Sequence, residues 1–198
     1  MKVYLITDTH FSHTEKMMLY CNRPKDYEDR IIEGISKLKE EDILIHLGDV
    51  CIGDDKYNNR LFCEKCKARK ILVKGNHDKK SNRWYLEHGW DFVCYKFQDK
   101  FFGKTILFSH QPQRYESDLV NTQYGAGNFD INIHGHFHNT LHRLLEGKYL
   151  VEGEKERNKE DLAVLTGFHK LLAIEYTNYN PISLEKFLKA DLKAKLKI

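Results

Sequence analysis

No apolar run in the 198-residue chain approaches the roughly 18 residues that a membrane-spanning helix requires. The opening Met1-Lys2-Val3-Tyr4-Leu5-Ile6 reaches Asp8 without the apolar centre or cleavage site of a secretory signal, so a soluble cytoplasmic protein with no membrane partner is expected. Charge of one sign is also lacking. With 32 Lys+Arg against 29 Asp+Glu, the formal charge of +3 does not indicate a protein that coats nucleic acid by bulk electrostatics. A disulfide framework is absent: the five cysteines are odd in number and scattered, and read as reduced thiols. Cys63-x-x-Cys66 has no second Cys or His pair at zinc-finger spacing, and is expected to mark a buried helix face. There is no internal repeat and no long low-complexity linker. A hydrophobic content of 41% over 198 residues then fits one domain spanning the chain.

What is present is an alternation of short apolar runs with longer amphipathic segments, which predicts an α/β fold. Residues 2–7 form the first strand candidate and end in Asp8-Thr9-His10-Phe11-Ser12-His13. Residues 27–39 place Ile31, Ile32, Ile35 and Leu38 at helical spacing, with acidic residues early and lysines late. Ile43 to Leu47 reads as a second strand ending in Gly48-Asp49. A helix over 56–67 leads to a third strand, 70–74, which ends in Gly75-Asn76-His77-Asp78. Residues 91–97 and 104–108 read as a strand pair around the turn 98–100, and the second leaves into Ser109-His110. Residues 130–134 lead to Gly135-His136-Phe137-His138, where the i, i+2 histidines project to one side of an extended turn. Residues 162–166 and 170–176 resemble a closing hairpin. The tail 183–197 reads as an amphipathic helix capped by Ser183.

Five apolar runs therefore end in polar clusters. Each has a plain alternative: Asp8 and Asp49 as loop caps, His46 and His134 as hydrogen-bonded packing residues, His88, His142 and His169 as surface histidines. Their ordered combination points elsewhere, because in open α/β sheets a site gathers off the carboxyl ends of the strands. Carboxylates, an asparagine carbonyl and several imidazoles, with no thiolate, form a mixed N/O set suited to a pair of divalent ions. Two ions roughly 3.5 to 4 Å apart need a shared ligand, for which Asp49 is the natural candidate, and would acidify a bridging water and clamp phosphoryl oxygens.

The order Asp8-x-His10, Gly48-Asp49, Gly75-Asn76-His77-Asp78, His110, Gly135-His136-x-His138 resembles the calcineurin-like metallophosphoesterase superfamily. The resemblance implies a four-layer α/β/β/α sandwich with a dinuclear site at the edge of two sheets. It also implies that Asp8, His10 and His138 hold one ion, that Asn76, His110 and His136 hold the other, and that Asp49 bridges. His77 corresponds to the family's non-ligand histidine, which steadies the phosphoryl group or protonates the leaving oxygen, with Asp78 orienting its ring. The Asp-Arg-Gly of the protein Ser/Thr phosphatases and the tyrosine ligand of the purple acid phosphatases are missing, since Val50-Cys51-Ile52-Gly53 stands there. The compact single-domain bacterial or phage phosphoesterases remain.

Arg23, Arg114 and His13 are candidates to contact a phosphate, the arginines as planar forks. The expected function is hydrolysis of a small phosphoester or nucleotide by a metal-bridging hydroxide, with phosphodiesters slightly preferred because His77 can serve a poor alkoxide leaving group. Manganese is the ion expected to serve in vitro, with iron, zinc, nickel or magnesium as alternatives. A phosphomonoesterase, or an idle metal-binding scaffold for protein assembly, are the competing readings. The sequence carries no signal for oligomeric state.

Overall fold

The computed structural model describes residues 1–113, 129–139 and 169–190. Its elements run β1 (Val3–Ile6), α1 (Thr14–Cys21), α2 (Tyr27–Ser36), β2 (Ile43–His46), α3 (Asp55–Lys65), β3 (Arg69–Val73), α4 (Asn82–Glu87) and β4 (Phe92–Cys94). They continue with β5 (Lys96–Phe101), β6 (Lys104–Ser109), β7 (Ile131–His134), β8 (His169–Leu171), a 3-10 turn (Ile174–Thr177), β9 (Ile182–Ser183) and α5 (Leu184–Lys189). Two sheets result, one in the order β4-β3-β2-β1-β9 and one in the order β5-β6-β7-β8. The strands β1, β2, β3 and β4 are mutually parallel, and so are β6, β7 and β8.

The period-2 alternation of side chains divides the core in two. Ile6, Leu44 and Leu72 face the helices with Ile31, Ile35 and Phe62. Leu5, Ile45 and Val73 face the second sheet, where they meet Ile106, Phe108 and Ile133, with Leu184 and Phe187 of α5 closing this layer. Two sheets flanked by helices are the α/β sandwich that the motif order implies. Among the described residues no helix is long and apolar enough to cross a membrane.

Several local expectations are corrected. Helix α1 was hidden from the sequence pattern because Met17 and Cys21 face inward while Met18, Leu19 and Tyr20 lie exposed, so apolar residues surround it and no stripe emerges. The pair expected over 91–97 and 104–108 separates into two sheets: β4 extends the parallel set beside β3, and β5 forms the hairpin with β6. The polar Gln98-Asp99-Lys100 is the middle of the edge strand β5 and not a turn. The turn is Phe102-Gly103, with φ of 53° and 76°, as a tight primed hairpin needs. Residues 170–176 hold the short β8, parallel to β7, and then a 3-10 turn; the hairpin partner expected at 162–166 lies outside the described residues. Ser183 caps α5 as expected, accepting from Lys186 N at 3.4 Å, but the helix expected to reach 197 stops at Lys189, where Ala190 turns extended. Cys63 and Cys66 are buried thiols that burial pushes up, Cys66 to about 11.

Candidate metal centre

Asp8 and His10 follow β1, Asp49 follows β2, Asn76 and His77 follow β3, His110 follows β6, and His136 and His138 follow β7. All leave the carboxyl ends of parallel strands, and the two sheets bring them together. Backbone strain accompanies them: Asp8, His10, Asp49, His136 and His138 have φ of 50°, 47°, 58°, 72° and 50°. Such left-handed residues cost about 1–3 kcal/mol each and persist where their surroundings over-determine them.

The surroundings do so. The first two exits zip together beyond their strands through Asp8 N to Gly48 O (2.9 Å), His10 N to Asp49 O (3.1 Å) and Phe11 N to Val50 O (3.0 Å). The Asp78 carboxylate accepts from Asp49 N (2.7 Å), Gly75 N (2.8 Å) and Val50 N (3.1 Å), tying the second exit to the third. Gly75 is required by close approach, because a Cβ there would collide with Asp49 Oδ1. A Cβ on Gly135 would likewise strike Thr7 Oγ1 and Asp8 Oδ2.

Two donor clusters form. In the first, Asp8 Oδ2 accepts from Thr7 Oγ1 (2.6 Å) and His136 N (3.0 Å), which turns Oδ1 inward, 3.7 Å from His10 Nε2 and 3.6 Å from His138 Nε2. Among the described residues, Asp8 Oδ1 and both ring nitrogens of His10 are buried without a hydrogen-bond partner. In the second, His110 gives its Nδ1–H to Leu47 O (2.7 Å), leaving Nε2 at 3.0 Å from Asn76 Oδ1, 3.1 Å from His136 Nδ1 and 3.3 Å from Asp49 Oδ2. Asp49 Oδ1 accepts from His77 N (2.8 Å), while Oδ2 lies 3.7 Å from His10 Nε2 and thus between the clusters.

Lone pairs of several acceptors facing one point repel unless a proton or cation sits among them. Two donors bound about 2.1 Å from one ion stand about 3.0–3.4 Å apart, close to the spacings here, so the donor set fits divalent ions. In the metal-free protein protons fill the role. Burial opposes ionisation of Asp8, yet His138, His10 and His110 outweigh it and hold the carboxyl well below the usual range. The same burial, offset chiefly by His110, leaves Asp49 lowered. Burial disfavours charge on His110, but Asp49 and Asp8 raise its pKa to about 9. Against burial, Asp8 together with Cys21 and Glu175 lifts His138 to about 10. His10 goes the other way, with burial dominant and its pKa lowered.

His77 is exposed, its Nε2 4.0 Å from Asp49 Oδ2 and its ring 5.5 Å from that of His10. Asp78 does not serve the His77 ring: its two oxygens are taken up by the three backbone N–H groups above, and burial followed by the Asp49 charge raises its pKa. His13 is half-buried at the rim, 6.2 Å ring to ring from His10. Arg23 is not open to a phosphate. Its side chain is fully buried and donates to Glu175 Oε1 (Nε, 2.9 Å), Asp8 O (Nη2, 2.8 Å) and Thr9 O (Nη1, 3.2 Å). Arg114 lies outside the described residues. Two residues that sequence reasoning passed over, Cys21 and Glu175, lie with His138 in a further group of metal-capable side chains. No local pattern pointed to either.

A sandwich of two sheets with carboxylates and imidazoles gathered at convergent strand ends defines an α/β protein with a metal-capable centre. The chain belongs to the calcineurin-like phosphoesterase superfamily, whose domain model matches residues 1–164. It is 27% identical over 202 residues to an uncharacterized protein of Methanocaldococcus jannaschii, covering 98% of this chain and 94% of that one. The crystal structure of a protein of unknown function from Aquifex aeolicus shares 29% identity and a TM-score of 0.64, covering 95% of this chain and 98% of that chain. An archaeal phosphodiesterase reaches a TM-score of 0.40 at 18% identity over 69% of this chain and 73% of that chain, a likeness too loose to argue from.

Proposed function

We propose that this protein is a phosphohydrolase with two divalent ions, acting on phosphodiesters in preference to monoesters. The observation that carries the reading is the position of Asp49 Oδ2, 3.7 Å from His10 Nε2 of one donor cluster and 3.3 Å from His110 Nε2 of the other. One carboxylate oxygen facing two clusters is what a shared ligand requires. Asp8, His10 and His138 would hold one ion, Asn76, His110 and His136 the other. When bound, the ions supply an acidified water as nucleophile and Lewis-acid neutralisation of the phosphoryl oxygens.

The chain's own residues supply the rest. Asp78, by gripping the backbone of Asp49, Val50 and Gly75, fixes the loop bearing Asn76 and His77 relative to the shared carboxylate. His77 is exposed above that carboxylate and can reach a phosphoryl group seated there, hydrogen-bonding a non-bridging oxygen or giving a proton to the alkoxide as its bond to phosphorus breaks. A diester's alkoxide is a poor leaving group and gains most from that proton. His13 lies on the same rim and is the remaining candidate for substrate contact. The chain's near balance of charge supports a small phosphoester or nucleotide over a long nucleic acid.

The test is hydrolysis of bis(p-nitrophenyl) phosphate and p-nitrophenyl phosphate by chelator-stripped protein, with manganese, nickel, zinc or magnesium restored. The reading expects metal-dependent diester turnover, and a fall of about 10²–10⁴-fold in kcat for His77→Ala. Preference for the monoester would make this a phosphatase. Tight metal binding with no turnover of either substrate would favour a binding scaffold.

A further inference from the structure

Arg23 and Glu175 are 152 positions apart in the chain, yet they form the buried ion pair against which the first donor cluster rests. Their side chains are 0% and 5% exposed, which separates them from the surface ion pairs of this protein. A buried pair of this kind costs desolvation on both sides and adds little to stability by itself, so what it touches is informative. Its contacts fall on the exit of β1 and on His138. Arg23 donates to the carbonyls of Asp8 and Thr9, holding the backbone where Asp8 and His10 take positive φ. Glu175 Oε1 lies 3.6 Å from His138 Nδ1, and Glu175 Oε2 is buried with no hydrogen-bond partner among the described residues.

The chemistry of His138 gives that carboxylate a purpose. For Nε2, which faces Asp8 Oδ1, to offer a lone pair to an ion, Nδ1 must carry the ring proton. Arg23 Nη2, 3.2 Å from Nδ1, is a donor and cannot receive that proton; it would favour the opposite tautomer. Glu175 Oε1, 3.6 Å from Nδ1, is the carboxylate acceptor beside it, just beyond hydrogen-bond distance, and the Cys21 thiol of the same group is a weaker one. Cys21, His138 and Glu175 also have their ligand atoms within 4.8 Å of one another, a spacing compatible with a third ion. The Arg23 guanidinium already stands there as the cation, hydrogen-bonded to the carboxylate such an ion would need.

We propose that Glu175 and Arg23 are positioning residues for one of two metal ions: Glu175 fixes the His138 tautomer, Arg23 fixes the Asp8–His10 backbone, and the guanidinium excludes a third cation. This rests on the two-ion reading above. Outer carboxylates of this type typically change metal affinity by about 10–100-fold when altered.

The experiment titrates manganese into the chelator-stripped full chain, following free manganese by electron paramagnetic resonance and heat by calorimetry, with folding checked by circular dichroism. Wild type should bind two ions. Glu175→Gln should weaken one about 10–100-fold and leave the other within about twofold, and the weakened event should be the one missing in His138→Ala. Arg23→Lys keeps the charge but cannot span the same acceptors, so the same selective weakening there would report geometry and not charge. Equal weakening of both ions, or unaltered binding in folded variants, would overturn the assignment. A third binding event in wild type would overturn the exclusion by Arg23. Fewer than two ions in wild type would instead defeat the two-ion reading, and this inference with it.

Discussion

His46 and His134 lie at the ends of β2 and β7; His110 and His138 lie a few residues beyond strand ends, inside the donor clusters. All four rings are shielded from water, yet their acid–base behaviour is opposite. Burial drives His46 and His134 down to about 3, whereas His110 and His138 rise to about 9 and about 10. The difference is not depth but company. His46 packs edge-on against Phe62 and Trp90, accepts from Gly48 N at 3.0 Å on Nδ1, and so holds its proton on Nε2 facing Thr9 Oγ1 at 3.0 Å. His110 Nε2 lies 3.3 Å from Asp49 Oδ2 and His138 Nε2 lies 3.6 Å from Asp8 Oδ1. Buried imidazoles at the same strand ends thus change from ones that reject positive charge to ones that demand it, which is the electrostatic condition for holding metal ions.

The most forceful way to break this contrast is Asp49→Asn, which keeps the shape and removes the charge. His110 should then behave like His46, its pKa falling below the ordinary imidazole value of about 6.5 in metal-free protein, as read by NMR of the ring nitrogens. If the proposed activity holds, losing several kcal/mol of transition-state stabilisation corresponds to about a thousandfold or greater drop in diester turnover. A His110 pKa still near 9 in the variant would show that Asp49 is not the source of the shift.

The contrast also predicts a stability profile with two slopes. His46 and His134 are depressed in the folded state, so between about pH 3 and the unfolded value near 6.5 the unfolded chain binds more protons, and stability falls as pH falls. His110 and His138 are raised, so their contribution is complete below about 6.5 and is lost as pH climbs towards 9 and 10. Each group alters stability by about 1.4 kcal/mol per pH unit within its window. Urea unfolding in chelator should therefore peak near neutrality. Adding manganese should remove the alkaline decline, because metal takes over from the protons. A flat metal-free profile from pH 6.5 to 9 would sink the explanation.

The parts of the site that could be read from sequence are those encoded locally. Asp8, Asp49, Asn76, His110, His136 and His138 each terminate an apolar run, and a strand that ends in a polar cluster is visible in one glance at ten residues. Arg23 looked like a phosphate ligand because an arginine in a loop after such a cluster is normally exposed. Its burial depends on Glu175, which comes from a 3-10 turn in a stretch whose apolar residues, Leu171-Leu172-Ala173-Ile174, read as strand. Asp78 reads as the partner of a ring because it follows His77, whereas its partners are backbone groups, Gly75 N nearby and two others 28 and 29 positions earlier. Helix α1 and the split between β4 and β5 were lost for a related reason: which face is buried is decided by the other sheet or helix and not by the segment itself.

The smallest effect worth measuring tests the quiet half of the comparison. Thr9 Oγ1 stands between His46 and the exit of β2, accepting the His46 proton and donating to Val50 O at 2.8 Å. Thr9→Val keeps the volume but strands the buried His46 N–H, while Val50 O keeps its bond from Phe11 N, and the unpaired donor costs about 1–3 kcal/mol. Arg23 contacts only the main-chain carbonyl of Thr9, so the ion pair and the donor clusters keep their anchors. Urea unfolding should thus show the loss while manganese binding keeps its stoichiometry. A change within about 0.5 kcal/mol would mean that the His46–Thr9–Val50 chain is ornamental. A loss of metal ions along with the stability would mean that the two histidine regions are mechanically one, with the neutral ring beneath holding the charged ones in register.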